Sequence, residues 1–175
     1  MATSDLAVRL RPIGDDDTDL VVCWRNSEAV RLNFIYRATL TVADHRRWLS
    51  EQVAPGHVAQ FIIEVGDERK PVGSTFIRDI DPVNRRGEFG IFIGDDATRG
   101  RGVGTEAARQ IVAHGFTELG LNRIYLRVLA HNAGAVHSYE KVGFVREGCL
   151  RKDVILDGVP TDVILMAIVR EEWER

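Results

Sequence analysis

Two spacings of apolar residues organise this chain: alternation, which marks strands, and recurrence every three to four positions, which marks helices. Val8 and Leu10 alternate with Arg9 and Arg11 and predict a first strand ending at Pro12. Asp15, Asp16, Asp17 and Thr18 then offer caps and favourable charge for a helix through Trp24, with a second short helix over Ser27 to Asn33. Thr41, with Asp44 three residues on, forms a capping-box pattern ahead of Trp48 and Leu49, and Pro55-Gly56 ends that helix. Three β-type runs follow, Gln60 to Val65, Pro71 to Ile80 and Arg86 to Ile93. Gly66, Asp67, Pro82 and Asn84 lie between them, which predicts an antiparallel meander. From Gly102 the spacing becomes helical through Val103, Ala107, Ala108, Ile111, Val112 and Phe116, with Gly120 placed as a stop. Arg123 to Val128 alternates again. Asn132 can cap a helix to about Lys141, ended by Gly143, and Phe144 to Ile155 and Thr161 to Val169 flank Asp157-Gly158 as a closing hairpin.

No repeat, low-complexity tract or Pro/Gly/Ser linker interrupts the 175 residues, so one domain over 1–175 is expected. The chain is 45% hydrophobic and 28% charged, with a formal net charge of -3, which gives no global attraction for nucleic acid. Cys23 and Cys149 are too few for a disulfide framework, and with the five histidines they lack metal-ligand spacing, so no metal is expected. Met1 to Leu6 has no basic stretch followed by an apolar run, and no segment approaches the ~18 apolar residues of a membrane span. A reduced, cytoplasmic setting without membrane contact is the expectation. The Thr161 to Val169 strand could pair across a homodimer, although nothing in its pattern demands it.

The densest chemical signal is Arg99-Gly100-Arg101-Gly102-Val103-Gly104-Thr105, between a strand and a helix. Glycines let backbone N–H groups approach a phosphate, and the helix N-terminus adds positive potential, so the segment reads as an anion site. A Walker A loop is excluded because Thr105 follows Gly104 with no lysine. A dinucleotide fingerprint on Gly102, Gly104 and Ala107 belongs to the first βα turn of a parallel sheet, whereas antiparallel strands precede this one. A helix entry without a ligand is the bland alternative, and two arginines among the glycines weigh against it.

Arg99, Gly102 and Gly104 match the pyrophosphate signature Arg/Gln-x-x-Gly-x-Gly/Ala of GNAT-superfamily N-acetyltransferases, and the element order from Val8 to Val169 is similar too. The resemblance implies a GNAT fold, α/β (α+β), with one mixed, mostly antiparallel sheet of about seven strands flanked by helices. It implies acetyl-CoA as cosubstrate, with Ile91, Phe92 and Ile93 holding the pantetheine arm and residues 99 to 105 the pyrophosphate. The run Asn132 to Phe144 resembles a second hallmark of the family. It places Asn132 and Ala135 at the cofactor and makes Tyr139 the acid that protonates the departing thiolate, which suits a phenol of pKa ~10. Asn132 as a plain cap and Tyr139 as a core aromatic are the structural alternatives. Glu88 shares a strand face with Gly90 and Phe92 and, as in related enzymes, is the candidate base toward a primary amine, directly or through water. Its alternative is a surface carboxylate.

The acceptor end is read from the N-terminal helices. Five arginines (25, 31, 37, 46 and 47) stand against Glu28 and Asp44, a surplus suited to phosphate or carboxylate capture or merely to solvated helix faces. Trp24-Arg25-Asn26, Arg31, His45 and Trp48 resemble the N-terminal phrase of GNAT enzymes that acetylate nucleotide-linked amino sugars, although Asp44 stands where a Glu is usual. The C-terminal phrase, Glu147-Gly148 through Glu172-Trp173, resembles the ribosomal-protein alanine acetyltransferase branch. A small-molecule amine, first a nucleotide amino sugar, is therefore expected. Protein N-termini and aminoglycoside-type antibiotics are alternatives, and a module that binds CoA without turnover is a further class, disfavoured by the presence of both Glu88 and Tyr139.

Overall fold

A computed structural model describes residues 7–174; the reading of Met1 to Leu6 lies outside them. One seven-stranded sheet runs through the molecule in the order β1-β2-β3-β4-β5-β7-β6. The strands are β1 (Val8–Pro12), β2 (Ala59–Val65), β3 (Lys70–Asp81), β4 (Arg86–Ile93), β5 (Arg123–Leu129), β6 (Val145–Leu156) and β7 (Val159–Val169). Neighbours pair antiparallel throughout except β4 and β5, which run parallel. This is the mixed, mostly antiparallel sheet expected.

Helices cover both faces. A 3-10 turn at Asp15–Asp17 leads into α1 (Thr18–Asn26), followed by α2 (Glu28–Arg31) and α3 (Val42–Trp48), which widens into a π-turn at Leu49–Val53. The Thr41/Asp44 capping box forms as predicted, with Asp44 N–H donating to Thr41 Oγ1 at 3.1 Å. The second helix is shorter than its periodicity suggests. Ser27 caps it, but Asn33 already donates to Val30 and Phe34 to Arg31 in turns, so the helix ends at Arg31.

α4 (Val103–Thr117) lays Ala108, Ile111, Val112 and Phe116 on Ile77, Phe89, Ile124 and Leu126. Gly115 permits this closeness, since a Cβ there would meet Ile124 Cδ1 at 2.6 Å. On the opposite face α1 and α2 bury Val21, Trp24 and Val30 against Ile62 and Phe92. α5 (Ala133–Val142) follows β5, and α6 (Arg170–Trp173) ends the described chain.

The sheet order bears on the dimer contact considered for Thr161 to Val169. β7 is paired by β5 along Val163–Val169 and by β6 along Val159–Ala167, so both edges of Val163 to Ala167 are taken and only the ends of Thr161 to Val169 keep an open edge. The open edges belong to β1 and β6.

Candidate active site

The parallel pair creates the site. β4 and β5 are paired only from Arg86–Glu88 against Arg123–Tyr125, and beyond Glu88 they part. The rest of β4 keeps β3 on one edge and has no strand on the other. A cleft of about 600 Å³ opens there, within the range of small-molecule sites, with Gly90 to Ile93 on one wall and Leu126 to Val128 on the other. A backbone edge so exposed can pair with the amides of an extended ligand as a further strand would.

One end of the cleft is the glycine loop. Gly100 and Gly102 adopt φ of +73° and +83°, and a Cβ on either would meet nothing within 4 Å, so the chain turns left-handed with open space beside it. Glu106 donates the first bond of α4, to Gly102, so the N–H groups of Val103, Gly104 and Thr105 have no acceptor in the helix behind them. Together they form the N-terminus of a fifteen-residue helix whose free N–H groups suit an anion. Arg99 donates from Nη2 to the Ile93 carbonyl at 2.7 Å and lies 3.2 Å from Asp96, which ties the loop to the end of β4. The Val103 side chain is core and can contribute only its backbone. Arg101 is exposed and does not line the cleft. The loop therefore fits a pyrophosphate, and the parted strands fit the amide-bearing arm attached to it. For Gly102→Ala the expectation is a loss of about 1 kcal/mol in stability from the left-handed backbone together with weaker acetyl-CoA binding at unchanged kcat. Calorimetric titration with CoA checks it, and unaltered affinity would remove Gly102 from the loop's function.

The far wall carries Tyr139. Its ring sits edge-on to Phe89, centroids 5.5 Å apart, and to Phe144 at 6.1 Å. No group among the described residues bonds its hydroxyl, and burial pushes the phenol up to about 12. Asn132 caps α5 by accepting from Ala135 N–H at 3.2 Å, and both residues line the cleft. Thr105 Oγ1 and Ser138 Oγ, 2.6 Å apart, join α4 to α5 beside Tyr139. The sequence carried no signal for that pair, which joins positions far apart in the chain.

Glu88 lines the cleft at the point where the strands part and is only 5% exposed. Arg78 Nε donates to Oε2 at 2.9 Å and Arg127 Nε to Oε1 at 2.8 Å. Burial alone would push its carboxyl up. The hydrogen bond from Arg127 and the charges of both arginines outweigh that and hold it below the usual carboxylate range. Phe89 packs on Tyr139 while Glu88 points the other way, so the two candidates occupy opposite faces of β4, joined through the gap beside β5.

Sequence reasoning missed Arg78, Arg127, Phe76, Phe34 and Tyr36, all of which line the cleft. Arg127 Nη2 reaches the Tyr36 hydroxyl at 3.3 Å. The signal available was an arginine facing opposite to Leu126 and Val128 on β5.

Several predicted acceptor residues have other work. Trp24 is buried edge-on to Phe92, and a Cβ on Gly94 would strike its ring at 2.1 Å. Asn26 exchanges two 2.8 Å bonds with the Leu40 backbone and pins the loop before α3. Trp48 donates to Gln60 at 2.8 Å and lines a separate small cavity. His45 is buried with Nδ1 3.0 Å from Thr18 Oγ1, tying α3 to α1. The arginine surplus is also largely neutralised: Arg37 pairs with Asp157, Arg46 with Asp15 and Arg47 with Asp44. Arg31 does not line the cleft, and Arg25 lies against its wall, over Phe34.

Burial lowers the pKa of His45 despite the nearby charges of Asp15 and Asp17. The unfolded chain takes up this proton near pH 6.5 and the folded one only at lower pH, so acidification below about 6.5 favours unfolding. His45→Asn is expected to remove that share of the acid destabilisation, visible as a smaller drop in urea midpoint between pH 7.5 and 5.5; an unchanged drop would contradict it.

A strand edge opened by a parted parallel pair, a left-handed glycine loop on a helix N-terminus, and a phenol and a carboxylate on either side of the gap share one cleft, the arrangement expected of an acetyl-CoA-dependent N-acetyltransferase. The model of the acetyltransferase (GNAT) domain matches residues 7–145, and the chain belongs to that family. Among its relatives, the spermidine N(1)-acetyltransferase of Escherichia coli (strain K12) is 29% identical over 170 residues, 95% of this chain and 88% of the relative. YdaF of Bacillus subtilis (strain 168), which carries a ribosomal N-acetyltransferase name, is 30% identical over 102 residues, 58% of this chain and 55% of the relative. The fold matches that of spermidine N-acetyltransferase from Vibrio cholerae, solved with CoA and spermine, at a TM-score of 0.89 and 24% identity, covering 96% of this chain and 98% of that one.

Proposed function

We propose that this protein acetylates the primary amine of a small molecule, with Glu88 as the group that accepts the amine's proton, directly or through water, and Tyr139 as the donor to the leaving sulfur. The observation that carries the reading is the placement of Glu88 and Tyr139 in one cleft, on opposite faces of β4, continuous with the glycine loop. Acetyl-CoA, when bound, supplies an acyl carbon open to attack and a thiolate leaving group.

Held below the usual carboxylate range, Glu88 is ionised throughout the neutral range and can receive a proton there. Its clamp of two arginines lowers its proton affinity, so its contribution includes drawing the acceptor ammonium into place. At about 12, the Tyr139 phenol stays protonated and donates a hydrogen bond toward charge developing on sulfur, and the same burial raises the basicity of a thiolate beside it. Residues 99 to 105, Asn132, Ala135 and the backbone of Ile91 to Ile93 would hold the cofactor.

The amino-sugar acceptor loses its support, since Trp24, Asn26, His45 and Trp48 are committed elsewhere and the relatives from Escherichia coli and Bacillus subtilis named above carry a spermidine and a ribosomal name. The reading is tested by product mass after incubation with acetyl-CoA and small primary amines. A singly acetylated amine, absent with the double variant Glu88→Gln/Tyr139→Phe, is expected; equal product from that variant would refute these roles.

A further inference from the structure

The cleft around Glu88 holds more positive charge than its own carboxylate can balance. Arg78 and Arg127 both line it and share that single acceptor, and no other Asp or Glu among the described residues lines the cleft. Each of the two arginines keeps its Nη1 without a hydrogen bond among the described residues. Asp79 lies 3.6 Å from Arg78 Nε, but its side chain is 67% exposed, so solvent screens it and it compensates little.

Arg25 is the third cation. Its guanidinium lies 3.8 Å over the Phe34 ring, behind the cleft wall, and Nη1 is buried with no hydrogen-bond partner among the described residues. Its one hydrogen bond among the described residues is a long 3.4 Å contact from Nη2 to the Tyr36 carbonyl. Burial, aided by the like charge of Arg78, lowers its pKa to about 10, so it remains charged at neutral pH. A partly buried guanidinium with no anion beside it among the described residues carries a desolvation cost, which an anion bound in the cleft in front of it would offset through space.

Resting on the acetyltransferase reading, we infer that the acceptor amine also carries an oxyanion, a carboxylate or a phosphate, gripped by Arg78 and Arg127 with Arg25 behind them while its nitrogen meets Glu88. Guanidinium forks suit such an oxyanion in bidentate geometry. An oxyanion sharing Arg78 and Arg127 would also loosen their hold on Glu88 and raise its affinity for the amine proton. A polyamine would instead bring several ammonium groups against three guanidinium groups. The spermidine specificity named for the relatives is therefore not carried to this chain.

The test is calorimetric binding to the CoA-loaded protein, with thiol release from acetyl-CoA in parallel, for 4-aminobutyrate against 4-aminobutyramide, phosphoethanolamine against ethanolamine, and spermidine. The acid of at least one pair should bind about tenfold or more tightly than its neutral partner, and which pair does so separates carboxylate from phosphate. Arg78→Gln and Arg25→Gln should shrink that preference to about twofold with CoA binding retained, and Arg25→Lys should restore part of it. Equal or tighter binding of the neutral members or of spermidine, or no binding of either acid at millimolar concentration, overturns the inference while transfer to other amines keeps the acetyltransferase reading. Failure to bind CoA, or no transfer to any amine, removes that reading and the inference with it.

Discussion

Replacing Glu88 by Gln should lower kcat by about 10²- to 10⁴-fold, the usual cost of a lost general base. The isosteric amide keeps the shape at the parting of β4 and β5 but abolishes the charge that faces Arg78 and Arg127. The wild-type carboxyl is held low, so its protonation does not limit the rate near neutrality. kcat/KM should instead stay level across neutral pH, where the acceptor arrives as the ammonium that Glu88 draws in, and fall once the free amine predominates. Glu88→Ala adds a structural cost of about 2–3 kcal/mol, because two partly buried guanidinium groups lose their anion. Comparing the two variants by urea unfolding and by turnover separates chemistry from stability. Near-wild-type kcat in Glu88→Gln, with CoA binding intact, would show that Glu88 only positions the arginines.

Tyr139→Phe should be nearly as severe for activity, again about 10²-fold or more in kcat, and almost silent for the fold. The ring contacts with Phe89 and Phe144 remain, and the hydroxyl has no bond among the described residues to lose, so stability should stay within about 1 kcal/mol. The KM for acetyl-CoA should change little, since the loop and the β4 edge do the holding. An unaltered kcat would mean that water or another donor protonates the sulfur. A large fall in the unfolding midpoint would mean that the hydroxyl has a structural partner.

What the sequence made legible was local. Thr41 with Asp44, Asn132 and Gly143 set helix ends through bonds and backbone angles within a few residues, and the loop from Arg99 to Thr105 declares itself by glycine spacing. Strand positions followed from alternation, and β4 lies at Arg86–Ile93 as read. The parting of β4 from β5 was not legible, because it depends on how far a parallel register persists between segments some forty residues apart. Arg78 and Arg127 were hidden for the same reason, since each becomes a site residue only when β3, β4 and β5 lie side by side around Glu88. His45 and Trp48 misled in the other direction: their side chains suit ligand chemistry, but the crossing of α3 over α1 and β2 turns them to Thr18 and Gln60.

The most direct test of the central claim is a thiol-release assay of the purified protein with acetyl-CoA against carboxylated, phosphorylated, neutral and polycationic primary amines and short N-terminal peptides. Saturable CoA release that requires a small amine is the predicted result. Tight CoA binding with no release on any of these amines would contradict the account and leave a binding module in place of an enzyme.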